Sequence, residues 1–220
     1  MTSSPPPIVQ PAYLFRYSAF CPRRRTIWGK NGVRLEPRFR LPCFTEIEGQ
    51  PLFADVRAAW NSTGLSFNLT VGNRADPLRR NTTHEPEDAL YVWISTRDTV
   101  ATHRPNQFCH HFVFYRFGTQ LTSTKPVALW TKLSRATAHP RPVTADALRV
   151  RTEPRANGYR LEAHIAAAAL TGFDPQDHPA LGFSYTVADC EHGWQAFSKR
   201  LGQRIGHDPS LWETLELVDD

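Results

Sequence analysis

The sequence lacks most of the features that assign a protein quickly. No apolar run approaches the roughly 20 residues that cross a bilayer, because charges and prolines interrupt every candidate, so a helical membrane protein is excluded. No basic start leads into an apolar block. Met1 to Gln10 holds three consecutive prolines instead, which does not read as a secretory signal and leaves cytoplasmic residence as the default expectation. The four cysteines, Cys21, Cys43, Cys109 and Cys190, are too far apart for a zinc finger or a dense disulfide scaffold and read as reduced thiols. Neither a Cys-x-x-Cys nor a His-Glu-x-x-His spacing occurs, so no metal or other cofactor is expected.

Charge of one sign is also scarce. Lys plus Arg number 26 against 21 Asp plus Glu, and the resulting +5 is spread over Arg23, Arg24, Arg25, Arg79, Arg80 and single positions. A surface for nucleic acid needs basic residues gathered on one face, with aromatic platforms for a single strand, so no nucleic-acid partner is expected. The sequons at Asn61, Asn68 and Asn81 carry weight only on a secretory route.

What is present is β-structure. Leu65, Phe67, Leu69 and Val71 alternate with Ser66, Asn68 and Thr70, the period of a half-buried strand. Tyr159 to Ile165 and Phe183 to Val187 alternate in the same way. Leu90 to Ser95 and Phe112 to Phe117 are apolar or aromatic on both faces, as expected of central strands, and Val127 to Leu133 and Leu148 to Thr152 add two more. Ala166 to Leu170, closed by Gly172, is the one helical signal and is long enough for a turn or two. Short strands punctuated by Gly, Pro, Asn and Asp predict an all-β antiparallel sandwich with at most one short helix. With 40% hydrophobic residues in 220, one core suffices. Residues 1–45, rich in proline but carrying Tyr13, Phe15, Tyr17, Phe20 and Trp28, are expected to pack as an arm on a sandwich of residues 46–220.

The order of motifs resembles the family 9 carbohydrate-binding modules. The resemblance rests on Asp55 to Trp60, Gly64 and Leu65, Asp88 with Tyr91 to Ser95, Gly158 to Ala163, Leu181 to Phe183, and Asp208-Pro209-Ser210 with Leu215 and Leu217. It spans roughly three quarters of the chain and implies a jelly-roll-type sandwich and a non-catalytic sugar-binding role. The sugar-clamping positions depart from the family pattern. Two stacking tryptophans are replaced by Glu85 and Gly206, an acidic residue by Tyr91, and an arginine position falls on Phe112. The family's calcium sites also lack their acidic clusters here.

Six tryptophans keep sugar stacking open. Trp60 and Trp212 read as core, whereas Trp93 and Trp130 lie on faces opposite Val92 and Leu129 and Trp194 falls in a loop, leaving Trp93, Tyr115, Trp130 and Trp194 as platform candidates. Two polar clusters end neighbouring strands: Arg97, Asp98, His103, Arg104, Cys109, His110 and His111, and then Asp189, Cys190, Glu191, His192 and Trp194. His110 and His111 point to opposite faces of a strand, so one of them at most joins a rim. The expected ligand-binding set is Arg97, His103, His110 and Trp194, with Trp93 as a stacking face and Asp88 positioning its loop. The expected ligand is a carbohydrate or similar polyhydroxylated molecule, and oligomeric state is left open. Two alternatives stand beside it: a structural or protein-interaction domain that has lost sugar binding, and a metal-dependent enzyme built on the His and Cys rim.

Overall fold

The computed structural model describes residues 16–44, 52–76, 87–118, 125–198 and 205–219. Among them are eleven strands: β1 Ser18–Pro22, β2 Ala54–Asn61, β3 Gly64–Val71, β4 Ala89–Ser95, β5 Cys109–Tyr115, β6 Val127–Trp130, β7 Leu148–Arg155, β8 Gly158–Ala166, β9 Ala180–Asp189, β10 Gly193–Ala196 and β11 Glu213–Val218. They form two sheets. One runs β1-β11-β9-β4-β5-β6 with β10 also pairing β9, and the other runs β2-β3-β8-β7. Every pairing is antiparallel except that of β1 with β11.

The alternating strands behave as their period dictates. Leu65, Phe67, Leu69 and Val71 of β3 and Leu161, Ala163 and Ile165 of β8 face inward, against Leu90, Val92 and Ile94 of β4 and Phe183, Tyr185 and Val187 of β9. The stacked pair Phe67 and Phe183, centroids 6.1 Å apart, joins the sheets at their centre. The helical signal at Ala166 to Leu170 yields only a three-residue 3-10 turn, Ala167–Ala169, because Gly64 and Thr63 draw the chain back into the sheet: the Ala167 N–H donates to the Thr63 carbonyl at 2.8 Å.

Residues 16–44 are part of this architecture. Ser18 to Pro22 form the parallel edge strand, and the chain then crosses the outer face of the four-stranded sheet. There Ile27, Val33, Leu35 and Phe39 make a small core with Ala59. Asn68 fixes the crossing by accepting from the Leu35 N–H at 2.6 Å and donating to the Val33 carbonyl at 2.8 Å, while Glu162 accepts from the Val33 N–H at 3.0 Å. One face of the smaller sheet is thus covered, and on the outer face of the larger sheet Trp194 stands half exposed.

Candidate functional site

On that outer face, small residues are ranked between large ones. Trp194 pairs with Ala188, which pairs with Ala89 and then Tyr115; the next rank is Ala196, Thr186, Tyr91 and Val113; the next sets Ser184 beside Trp93 and His111. Methyl groups in the middle of a rank flanked by indole and phenol rings leave a trough. The structure has a groove of about 290 Å³ there, lined by Tyr91, Trp93, His111 and Thr186 from the sheet, Trp194 and Ala196 from β10, and Ile205 from the loop before β11. That volume is at the small end of the range for small-molecule sites, about 300–1,000 Å³.

The rings stand in a row. Trp93 and His111 stack at 4.7 Å with planes 3° apart, and Tyr91 lies 6.2 Å from each. Trp194 closes one side, 52% exposed and tilted 40° to Tyr91. Trp93 is 8% exposed, so it builds the wall while Trp194 offers the open ring face. Beneath the groove Trp93, Cys109, Leu133 and Trp212 form a separate apolar cluster, and the Trp212 indole N–H donates to the Ile205 carbonyl at 2.7 Å, fixing the loop that forms the far wall.

None of the described residues lining the groove carries a formal charge. Burial pushes the His111 imidazole down to about 4, so it is neutral near pH 7. At one end the Tyr91 and Tyr115 rings meet edge to face with centroids 6.4 Å apart, and burial before all else, with the nearby Glu87 carboxylate adding to it, raises both phenols and holds them protonated. The site offers aromatic faces, a neutral imidazole and phenol hydroxyls, a set suited to an uncharged polar ligand with apolar ring faces.

Of the six residues expected to bind ligand, the structure brings together Trp93 and Trp194. Trp194 lies in strand β10 rather than in a loop. Asp88 is 4% exposed and belongs to an ion cluster: its carboxylate accepts from Arg74 at 2.7 Å, Arg116 at 2.9 Å and the Cys190 N–H at 2.9 Å. It therefore ties the start of β4 to the end of β9. His110 is fully buried between the sheets, stacked on Phe112, with Nε2 accepting from the Thr171 N–H at 3.1 Å. Arg97 lies over the Phe108 ring and donates to the carbonyls of Thr96 and Gly172, none of which lines the groove. His103 is exposed and bonds Ser210.

Two neighbouring positions also shift. Trp130 pairs with Phe112 and packs against the inter-sheet core, so it is no platform. Phe112 itself is core, and the groove-facing residue of β5 beside Trp93 is His111. Glu85 lies outside the described residues. Sequence reasoning also passed over Thr186 and Ile205; no motif marks either.

The reactive clusters do not assemble. Cys109 and His110 lie in β5, while His192 bonds Asp189 through Nδ1 at 2.9 Å and the Asn73 carbonyl through Nε2 at 3.2 Å. Among the described residues no three His, Cys, Asp or Glu side chains gather as metal ligands. Ser210, His103 and Asp208 meet, yet both oxygens approach the same ring nitrogen, His103 Nδ1, at 3.1 and 3.6 Å. A relay needs one ring nitrogen on each partner. Asp208 instead caps the 3-10 turn Pro209–Leu211, accepting from the Ser210 N–H at 3.1 Å and its hydroxyl at 2.6 Å.

No family model and no curated protein matches the chain in sequence. Solved structures do match in fold. A family 9 carbohydrate-binding module from Caldicellulosiruptor kristjanssonii in complex with cellotriose aligns with a TM-score of 0.58 at 14% identity, over 93% of this chain and 95% of that one. The same kind of module from that organism in complex with glucose aligns with a TM-score of 0.54 at 14% identity, over 93% and 97%. The chain has a divergent family 9 module-like sandwich fold. Tyr91 lines the groove, and Gly206 follows the lining residue Ile205.

Proposed function

We propose that the protein is a non-catalytic binding module whose ligand is a neutral carbohydrate, held in the groove between Tyr91, Trp93, His111 and Trp194. The observation that carries this reading is Trp194: a half-exposed indole at the mouth of an aromatic trough, with no charge among its described lining residues, on the outer face of the larger sheet. Burying that apolar face against a pyranose ring supplies the driving force, and hydroxyls of the ligand bond to the phenols and imidazole at the rim. Structural neighbours complexed with cellotriose and glucose support the ligand class. The small volume suits one or two sugar units at a chain end rather than a long stretch of polymer.

In this proposal Trp194 and Tyr91 take over the stacking that tryptophans before Asp88 and Asp208 provide in the family. A thermal-shift screen of the full chain against neutral mono- and oligosaccharides tests it, because a ligand that binds the native state raises the Tm. A saccharide-dependent rise that disappears in Trp194→Ala is expected. The second reading, an interaction domain that has lost sugar binding, is favoured by Gly206 and Tyr91 standing where the family carries a tryptophan and an acid; it predicts no shift with any saccharide.

A further inference from the structure

The outer face of the smaller sheet carries a second depression, of about 200 Å³, far in chemistry from the aromatic groove. It exists because the covering arm stops short. Arm residues Val33 and Leu35 bond to the rank Arg57, Asn68, Glu162 and leave the adjoining rank, Asp55, Thr70, Arg160 and Glu153, open beyond Arg34. Four arginines converge on that opening: Arg34 from the arm, Arg57 from β2, Arg160 from β8 and Arg155 from the end of β7.

Carboxylates hold them in place, Asp55 from within the lining and Glu153 and Glu162 from beside it. Asp55 takes Arg57 through Nε and Nη2 at 2.9 and 3.0 Å. Glu153 bonds Arg160 and approaches Arg34 at 3.4 Å, and the Arg160 guanidinium before all else holds the Glu153 carboxyl below its usual range. Glu162 lies 3.1 Å from Arg160 Nε, too poorly aligned for that nitrogen to count as hydrogen-bonded. The Arg160 side chain is only 8% exposed, so a guanidinium paired with Glu153 and Glu162 is buried at the wall of the depression. Arg155 is exposed, and its charge helps to lower the Glu153 carboxyl. Thr70 supplies a hydroxyl to the floor.

We propose that this depression is a binding site for a single tetrahedral oxyanion, a phosphate or sulfate group. Arg57 is committed through all three nitrogens to Asp55 and the Leu35 carbonyl and contributes charge alone, while Arg34, Arg155 and Arg160 line the opening. A guanidinium fork matches two oxygens of such a group, and the partly enclosed setting strengthens the attraction relative to open water. The depression fits one such group and leaves the ligand's remainder in solvent. Arg155, uncommitted to a carboxylate at bonding distance, closes over the anion, and Arg160 and Thr70 receive it from below. This site shares no residue with the aromatic groove and does not rest on the sugar-binding proposal.

Calorimetric titration of the full chain with inorganic sulfate and inorganic phosphate, against sodium chloride at matched ionic strength, tests it. Saturable binding of either oxyanion and none of chloride is expected. Arg155→Gln, an exposed substitution that leaves the folded state intact by circular dichroism, should weaken that binding by about tenfold or more, the size expected for one charge-assisted hydrogen bond. Trp194→Ala should leave it unchanged. Glucose 6-phosphate binding tighter than inorganic phosphate would identify a phosphorylated sugar as the source, and equal binding a free anion; either ranking upholds the site. No saturable binding beyond chloride, or equal affinity in Arg155→Gln and the parent chain, would overturn the proposal.

Discussion

Trp194 reaches across the small side chain of Ala188 to lie 5.9 Å from Tyr91, although the two residues sit on strands that do not pair with each other. The contact exists because β9 lies between them and presents alanine at that rank. With its indole half in solvent, Trp194 contributes little to the core. Trp194→Ala is expected to lower the unfolding free energy by about 1 kcal/mol, the worth of one aromatic contact, measured by urea denaturation.

Asp88 has the opposite balance. Its carboxylate is shared by Arg74 and Arg116, with side chains 0% and 3% exposed, and the Arg116 guanidinium also lies 4.1 Å from the centre of the Tyr159 ring. Asp88→Asn leaves two buried guanidinium groups with one carboxylate fewer, and removal of one partner from such a cluster costs about 3–5 kcal/mol. A large fall in Tm is expected, with saccharide affinity retained at temperatures where the variant is folded. Loss of affinity without loss of stability would move Asp88 into the binding site.

Stability should fall between neutral and mildly acidic pH. Burial lowers His110, His111 and His164 from 6.5 to about 4, with Arg149 adding to the effect at His164. In that interval the unfolded chain binds protons that the folded chain excludes, so the stabilisation is complete above pH 6.5 and declines as pH falls toward 4. Denaturation curves at pH 7, 6, 5 and 4.5 check this. The slope should be shallower in His111→Phe, which removes one of the three groups.

The turn between β2 and β3 gives a backbone test. Gly64 has φ of +142°, and a Cβ there would lie 2.1 Å from the Ile165 carbonyl oxygen. Gly64→Ala combines an unfavourable backbone conformation with a steric clash and should cost about 2 kcal/mol or more, read as a lower urea midpoint with an unchanged m-value.

The fold was legible where one face of a strand is polar. Leu65 to Val71 and Tyr159 to Ile165 declare their inward residues by alternation, and their partners follow. Strands β4 and β5 are apolar on both faces, so alternation says nothing about which face meets the core. Hence the sequence points to His110 for the rim, whereas His111 faces the groove and His110 is buried. A shift of one residue reverses every side chain in a strand. Asp88 carries a charge that suggests solvent, and only the distant Arg74 and Arg116 account for its burial. Trp194 is expected to be exposed because it reads as a loop residue; it is exposed, but from the short strand β10.

Calorimetric titration of the parent chain and Trp194→Ala with cellotriose at pH 7 tests the central claim most directly. Saturable binding by the parent chain, weakened about 30-fold by loss of a stacking indole worth about 2 kcal/mol, is the predicted result. Equal affinity in both proteins, or no binding of any neutral saccharide by a folded parent chain, would contradict it.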